Sequence, residues 1–291
     1  MKYQLKHLTE YVYQQPVANS YNLACLTPQA LSYQKVCNTE LDVYPNTAQL
    51  SHYTDYFGNV RHFIHLQPPH QQLTVISRAK LEVMPRNNSE RLDQGCTLTQ
   101  LQTYLQQNKT PASVWAKMLC QPSRMVPVTS EIGALLTPLR APGQTVLQLA
   151  ERLNHYIFAH FTYTPGFSTI VTPLSEVLKY RRGVCQDFAQ LAISCLRSNG
   201  IPARYVSGYL ETQPARGQAR LQGADASHAW FSVFDPKLGW VDFDPTNNLL
   251  PCQQHLTVAF GRDYADVVPL KGLVQGTGGH KLQVAVDVIP C

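Results

Sequence analysis

Hydrophobic and polar residues follow one rhythm in the first ninety positions and another beyond them. Apolar runs at 11–13, 41–44, 73–76 and 79–83 are rich in β-branched and aromatic side chains, and turn residues at Gln15-Pro16, Pro45-Asn46 and Gly58-Asn59 separate them. This pattern predicts a small antiparallel sandwich over residues 1–90, with the polar stretch 85–90 as a linker out of it. From about 97 the period becomes helical, first at Leu98, Leu101, Tyr104 and Leu105, then at Val146, Leu149, Ala150, Leu153, Tyr156, Ile157 and Phe161. Pro122, Pro127, Pro138 and Pro142 interrupt the stretch between, so residues 91–144 read as an irregular bridging region.

A helix is expected from Thr172-Pro173 to Gly183, and a second directly after it, with an apolar stripe of Val184, Phe188, Leu191, Ala192, Cys195 and Leu196. Asn199-Gly200-Ile201-Pro202 stops that helix, and alternation of period two then marks strands at 203–210, 228–234 and 239–244, with a closing strand at 281–289. Helices followed by an antiparallel set of strands make residues 145–291 an α+β unit rather than a doubly wound sheet.

The 291 residues are 44% hydrophobic and only 15% charged, which excludes a disordered chain. The net charge of +5 is scattered, so neither a nucleic-acid nor an anionic-membrane footprint is expected. No apolar run is long enough to span a bilayer, and the opening Met1-Lys2-Tyr3-Gln4-Leu5-Lys6-His7 has no apolar signal core, so the cytoplasm is the expected compartment. The eight cysteines form no C-x-x-C pair and read as reduced thiols, most of them small core residues.

Cys185 differs from the other seven. Gly183 ends one helix and the next opens at once, which puts Cys185 in a first turn whose unpaired N–H groups favour a thiolate. A thiolate nucleophile needs a base. His228 opens one strand and Asp244 ends the next, so a hairpin loop at Asp235-Pro236-Lys237 would set the two directly opposite each other. One imidazole nitrogen would then meet the carboxylate and the other would face Cys185. Asp242 shares the face of Asp244 and is the rival acid.

The segments 183–189, Ser227-His228-Ala229-Trp230 and 239–247 resemble the signatures of the bacterial transglutaminase-like family, candidate cysteine proteases with a papain-like core. Residues 200–209 and 261–267 are similar to further family segments, and 7–13 with 55–59 resemble its β-rich N-terminal domain. The resemblance implies a nucleophile-bearing helix packed on an antiparallel sheet, with Cys185 as nucleophile, His228 as base and Asp244, in its Asp-Pro-Thr context, as orienting acid. The implied reaction is acyl transfer at the amide of a peptide or protein, by a peptidase, an amidase or possibly a transglutaminase. The competing expectation is a catalytically silent binding module on the same fold. The family usually carries His where this chain has Gln190, which reads as a surface change.

The sequence supports no cofactor or metal site. His52, His62, His65 and His70 lie in strand and loop and read as surface residues, and the 276–279 glycine turn precedes no helix. Tyr163 is the nominee for a side-chain oxyanion donor.

Overall fold

The computed structural model describes residues 1–86, 89–211 and 227–291. Six strands build the first part: β1 (Lys2–Val17), β2 (Asn19–Ala24), β3 (Gln34–Tyr44), β4 (Gln49–Thr54), β5 (Val60–Leu66) and β6 (His70–Val83). Alternate residues of β1 point inward, so Tyr3, Leu5, His7 and Thr9 are buried while Lys2, Gln4 and Lys6 face solvent. The runs at 73–76 and 79–83 are one continuous strand, because the alternation passes through Ser77 and Arg78 without a break.

The bridging region holds three short helices, α1 (Leu98–Gln107), α2 (Pro111–Met118) and α3 (Ser130–Gly133). Then follow α4 (Val146–His160), β7 (Thr162–Tyr163), α5 (Leu174–Tyr180), β8 (Arg182–Gly183) and α6 (Cys185–Arg197). Thr97 and Thr145 each cap a helix through a reciprocal pair with the glutamine three residues on. Helix α5 stops at Arg181, which takes a left-handed conformation at φ 52°. The last strands are β9 (Ala203–Leu210), β10 (Ser227–Asp235), β11 (Gly239–Phe243), β12 (His255–Gly261), β13 (Leu270–Gln275) and β14 (His280–Pro290).

A central antiparallel sheet has the order β11-β10-β9-β12, and α6 packs against β9 and β10. Its fourth strand is β12, which the sequence reading did not pick out. The chain's last strand does not close this sheet. Instead β14 pairs with β1 along eleven residues and β13 pairs with β2, so each joins one sheet of the N-terminal sandwich. The two sandwich sheets are β14-β1-β6-β3 and β13-β2-β5-β4.

Sandwich and central sheet share one core. Tyr3, Leu5, Leu81, Val83, Val286 and Val288 pack in the same cluster as Leu147, Leu153, Phe188, Leu196 and Phe231. Two amide side chains complete the seam. Gln34 Nε2 donates to the Thr257 carbonyl (2.7 Å) while its Oε1 accepts from the Thr257 N–H (2.8 Å). Asn59 treats Phe260 the same way, at 2.8 and 2.9 Å. Arg86, in the expected linker, is a seam residue too: its side chain is 4% exposed and pairs with Asp242 at 2.6 Å. Asn87 and Asn88 of that stretch lie outside the described residues. Two further expectations change. His70 is buried, its Nδ1 donating to the Pro68 carbonyl (2.8 Å) and its Nε2 hydrogen-bonded to Ser20 Oγ (3.2 Å), and Gln190 is buried, its Oε1 accepting from the Tyr264 N–H.

Arg197, at the end of α6, is buried and serves as a polar rivet. It donates to the carbonyls of Ala203 (3.0 and 2.8 Å), Arg262 (2.7 Å) and Gln121 (3.2 Å), joining helix, sheet and bridging region. Arg197→Met leaves those buried carbonyls without donors and is expected to lower the unfolding free energy by about 3 kcal/mol, read as a lower urea midpoint at an unchanged slope.

Candidate active site

The start of α6 is assembled by close backbone approach. Asp187 accepts a hydrogen bond from the Val184 N–H (2.8 Å) and another from the Ser168 hydroxyl, which ties the first turn to the preceding loop. A Cβ at Gly183 would sit 2.9 Å from the Asp187 side chain, so this turn needs glycine. Cys185 is half-buried in the first turn, and its sulfur is near enough to the His228 ring to help raise that ring's basicity. Cys195, one of the expected core thiols, is fully buried, and burial pushes its thiol up to about 12.

The hairpin register differs from the expected one. Asp235 Oδ1 accepts from the N–H groups of Lys237 and Leu238, which starts the turn at Asp235 itself. Asp235 then pairs with Gly239, whose φ is +75°, and Phe234 faces Trp240 rather than Leu238. The ladder is therefore displaced by two residues. Side-chain direction has period two, so Asp244 keeps the face of His228 but reaches it diagonally instead of from directly opposite. A one-residue slip would have separated them.

Asp244 lies just beyond β11 and is fully buried. A backbone bridge to Leu249 folds the chain back there, and Asp244 Oδ1 accepts from the N–H groups of Thr246 (3.0 Å) and Asn247 (3.3 Å). Its other oxygen accepts from His228 Nε2 (2.8 Å), His255 Nε2 (3.0 Å) and Asn247 Nδ2 (2.8 Å). Burial opposes the charge of this carboxylate, but the two histidine contacts outweigh it and hold Asp244 well below the usual carboxylate range. Burial likewise opposes the charge on His228, yet its contacts with Asp244 and Cys185 prevail and raise it to about 10. His255 goes the other way: burial lowers it, so it stays neutral and donates from Nε2. Its Nδ1 is buried without a partner.

Asp242, the rival acid, is engaged elsewhere, by Arg86, by Trp230 Nε1 (3.2 Å) and by the Ser232 hydroxyl. Tyr163 pairs with Gly183 in a short parallel ladder, which brings it near the thiol, with its ring 6.5 Å from Phe188. Burial and then the sulfur raise its phenol. The ring and the carboxylate are in contact, and the thiol lies at the start of α6 near the ring. Sequence reasoning missed His255 and the side-chain contact of Asn247. The turn spacing after Asp244-Pro245 offered a signal for Asn247; His255 had none, because its strand went unrecognised.

His228, Asp244 and His255 offer ligand atoms within 4.8 Å of one another. A carboxylate only accepts, so each ring directs an N–H at Oδ2, which describes a hydrogen-bonded cluster rather than a metal-ligand set.

The transglutaminase-like superfamily profile matches residues 134–245, and the profile for the bacterial transglutaminase-like N-terminal region matches residues 3–82. An uncharacterized protein of Mycobacterium tuberculosis is 36% identical over 294 residues, spanning 99% of this chain and 93% of its own length. A protein-glutamine gamma-glutamyltransferase of Pseudomonas aeruginosa is 34% identical over 139 residues, 45% of this chain and 20% of that protein. The crystal structure of a candidate cysteine protease from Cytophaga hutchinsonii superposes with a TM-score of 0.75 at 19% identity, covering all of this chain and 91% of that one. Both profiles, and a relative matched along nearly its whole length, establish that the chain belongs to the transglutaminase-like superfamily and carries the bacterial N-terminal region of that family.

Proposed function

We propose that the protein breaks amide bonds by acyl transfer through Cys185, His228 and Asp244. The observation that carries this reading is the 2.8 Å hydrogen bond from His228 Nε2 to Asp244 Oδ2, in a ring whose basicity the nearby Cys185 sulfur also raises. In the proposed cycle the Cys185 thiolate attacks the substrate carbonyl carbon, and the C–N bond breaks as His228 gives its proton to the leaving amine or ammonia. His228 then takes a proton from water, which attacks the thioester, releases the acid and restores the thiol–imidazole pair. Asp244 positions the ring and stabilises its positive charge. The Cys185 N–H, at the open end of α6, is the backbone oxyanion donor in this scheme, and Tyr163 is the candidate side-chain donor.

Hydrolysis is the leading outcome because water is always available to the thioester. Transamidation is the second reading, favoured by the similarity to the Pseudomonas aeruginosa protein-glutamine gamma-glutamyltransferase. Mass spectrometry of a glutamine peptide incubated with an added primary amine separates the two, since hydrolysis exchanges the departing ammonia for water and transamidation exchanges it for the added amine. Tyr163→Phe is expected to lower turnover by roughly tenfold or more, with little change in KM. Unchanged turnover removes Tyr163 from the scheme.

Iodoacetamide at pH 6–7 is expected to alkylate Cys185 much faster than the other seven cysteines, and His228→Ala to slow that reaction. Equal labelling of all eight thiols would favour a silent binding module.

The Asp244 carboxylate raises His228, so Asp244→Asn is expected to lower the pH at which the ring loses its proton by ~1 unit or more, read by NMR of the imidazole. The basic limb of activity should move down with it. The folded value lies above the unfolded ~6.5, so the stability contributed by this pair is complete below that pH and lost as pH rises through about 10. The variant should therefore lose most of its pH-dependent stability change between those limits.

A further inference from the structure

A cavity of about 550 Å³ lies at the seam between sandwich and central sheet, lined among others by Tyr33, Arg86, Arg204, Trp240, Asp242 and Phe260. The Arg204 guanidinium lies against two rings, 3.6 Å from the centroid of Phe260 and 4.4 Å from that of Trp240. Among the described residues it finds no hydrogen-bond acceptor, and its Nε is buried without a partner. Arg86 stacks on Tyr33 at 3.6 Å and donates its Nη groups to Asp242 (2.6 Å) and the His255 carbonyl (3.1 Å), but its Nε is also buried and unpartnered. Asp242 already accepts from Arg86, Trp230 and Ser232, so it does not satisfy Arg204. Two guanidiniums against one carboxylate leave one positive charge over.

A part-buried guanidinium whose Nε is shielded from water and has no acceptor is an electrostatic deficit, and an anion in the cavity would offset it. Apart from Ser32, the rest of the wall is aromatic or aliphatic, including Leu31, Met84 and Leu238. We propose that this cavity binds a small organic carboxylate with an apolar body, its oxygens taken by the Arg204 guanidinium, its body against the aromatic wall. A monoanion matches the single excess charge, and the planar carboxylate matches the guanidinium fork, whereas a phosphate dianion would remain half-compensated. The site is separate from the proposed catalytic line and does not depend on it.

The test is isothermal titration of the full chain with phenylacetate, with 2-phenylethanol as neutral counterpart and inorganic phosphate as a second anion. Phenylacetate should bind wild type and Cys185→Ala alike, phosphate and the alcohol should not, and Arg204→Met should weaken binding about tenfold or more. Arg204→Lys keeps the charge without the fork and should fall between, which preserves the test if the methionine variant fails to fold. Circular dichroism checks the fold of each. The proposal is overturned by absent phenylacetate binding to folded wild type, by equal binding of the alcohol, by phosphate binding more tightly, or by a folded Arg204 variant with unchanged affinity.

Discussion

The buried carboxylate of Asp244 is the constraint around which the rest of this corner is arranged. Removing a carboxylate from water costs several kcal/mol unless its lone pairs are filled. Here five donors converge on it, two from its own backbone turn, one from Asn247 and two from histidine rings. The requirement explains features that look unrelated. The chain must fold back at Leu249 to present the two N–H groups, β12 must begin at His255 to present a neutral ring, and His228 must turn its Nε2 inward, which leaves its other nitrogen for Cys185. The two histidines contact the same oxygen yet shift in opposite directions: burial, with His228 and Arg86, lowers His255, whereas Asp244 and the nearby sulfur outweigh burial at His228.

Behind this corner the support runs outward through Trp230 and Arg86. Trp230 lies edge-on to His255 at 5.3 Å and donates to Asp242, while Arg86 holds both Asp242 and the His255 carbonyl. Arg86 follows the last strand of the first sandwich stretch, so the N-terminal region takes part in shaping the central sheet rather than being an appendage to it. The continuous core from Tyr3 and Val288 to Phe188 and Phe231 makes the same point in apolar terms.

How much of this was legible in the sequence depended on range. The turn that carries Cys185 was, because Gly183, Cys185 and the apolar stripe of α6 are local, and local spacing dictates a helix start. The hairpin was legible only in part: Asp235 bonds its own turn, which shifted the ladder by two, and the period of two preserved the facing side chains even though the pairing was different. What depended on distant partners was not legible. Nothing near residues 280–290 says that the strand pairs with β1 rather than β12, nothing in a polar stretch marks Arg86 for burial, and a short strand of seven buried residues carries no alternation to betray β12.

The paired amides of Gln34 and Asn59 have an architectural consequence. Strand β12 lies at the rim of the central sheet, and an unguarded rim is a template for any extended chain that drifts past. Two side chains lent by the sandwich occupy both donor and acceptor of Thr257 and of Phe260, standing in for a fifth strand without supplying one. The sandwich thereby acts as a built-in stopper: a central sheet severed from it would present bare ladder groups to its own kind and would be poised to polymerise edge to edge.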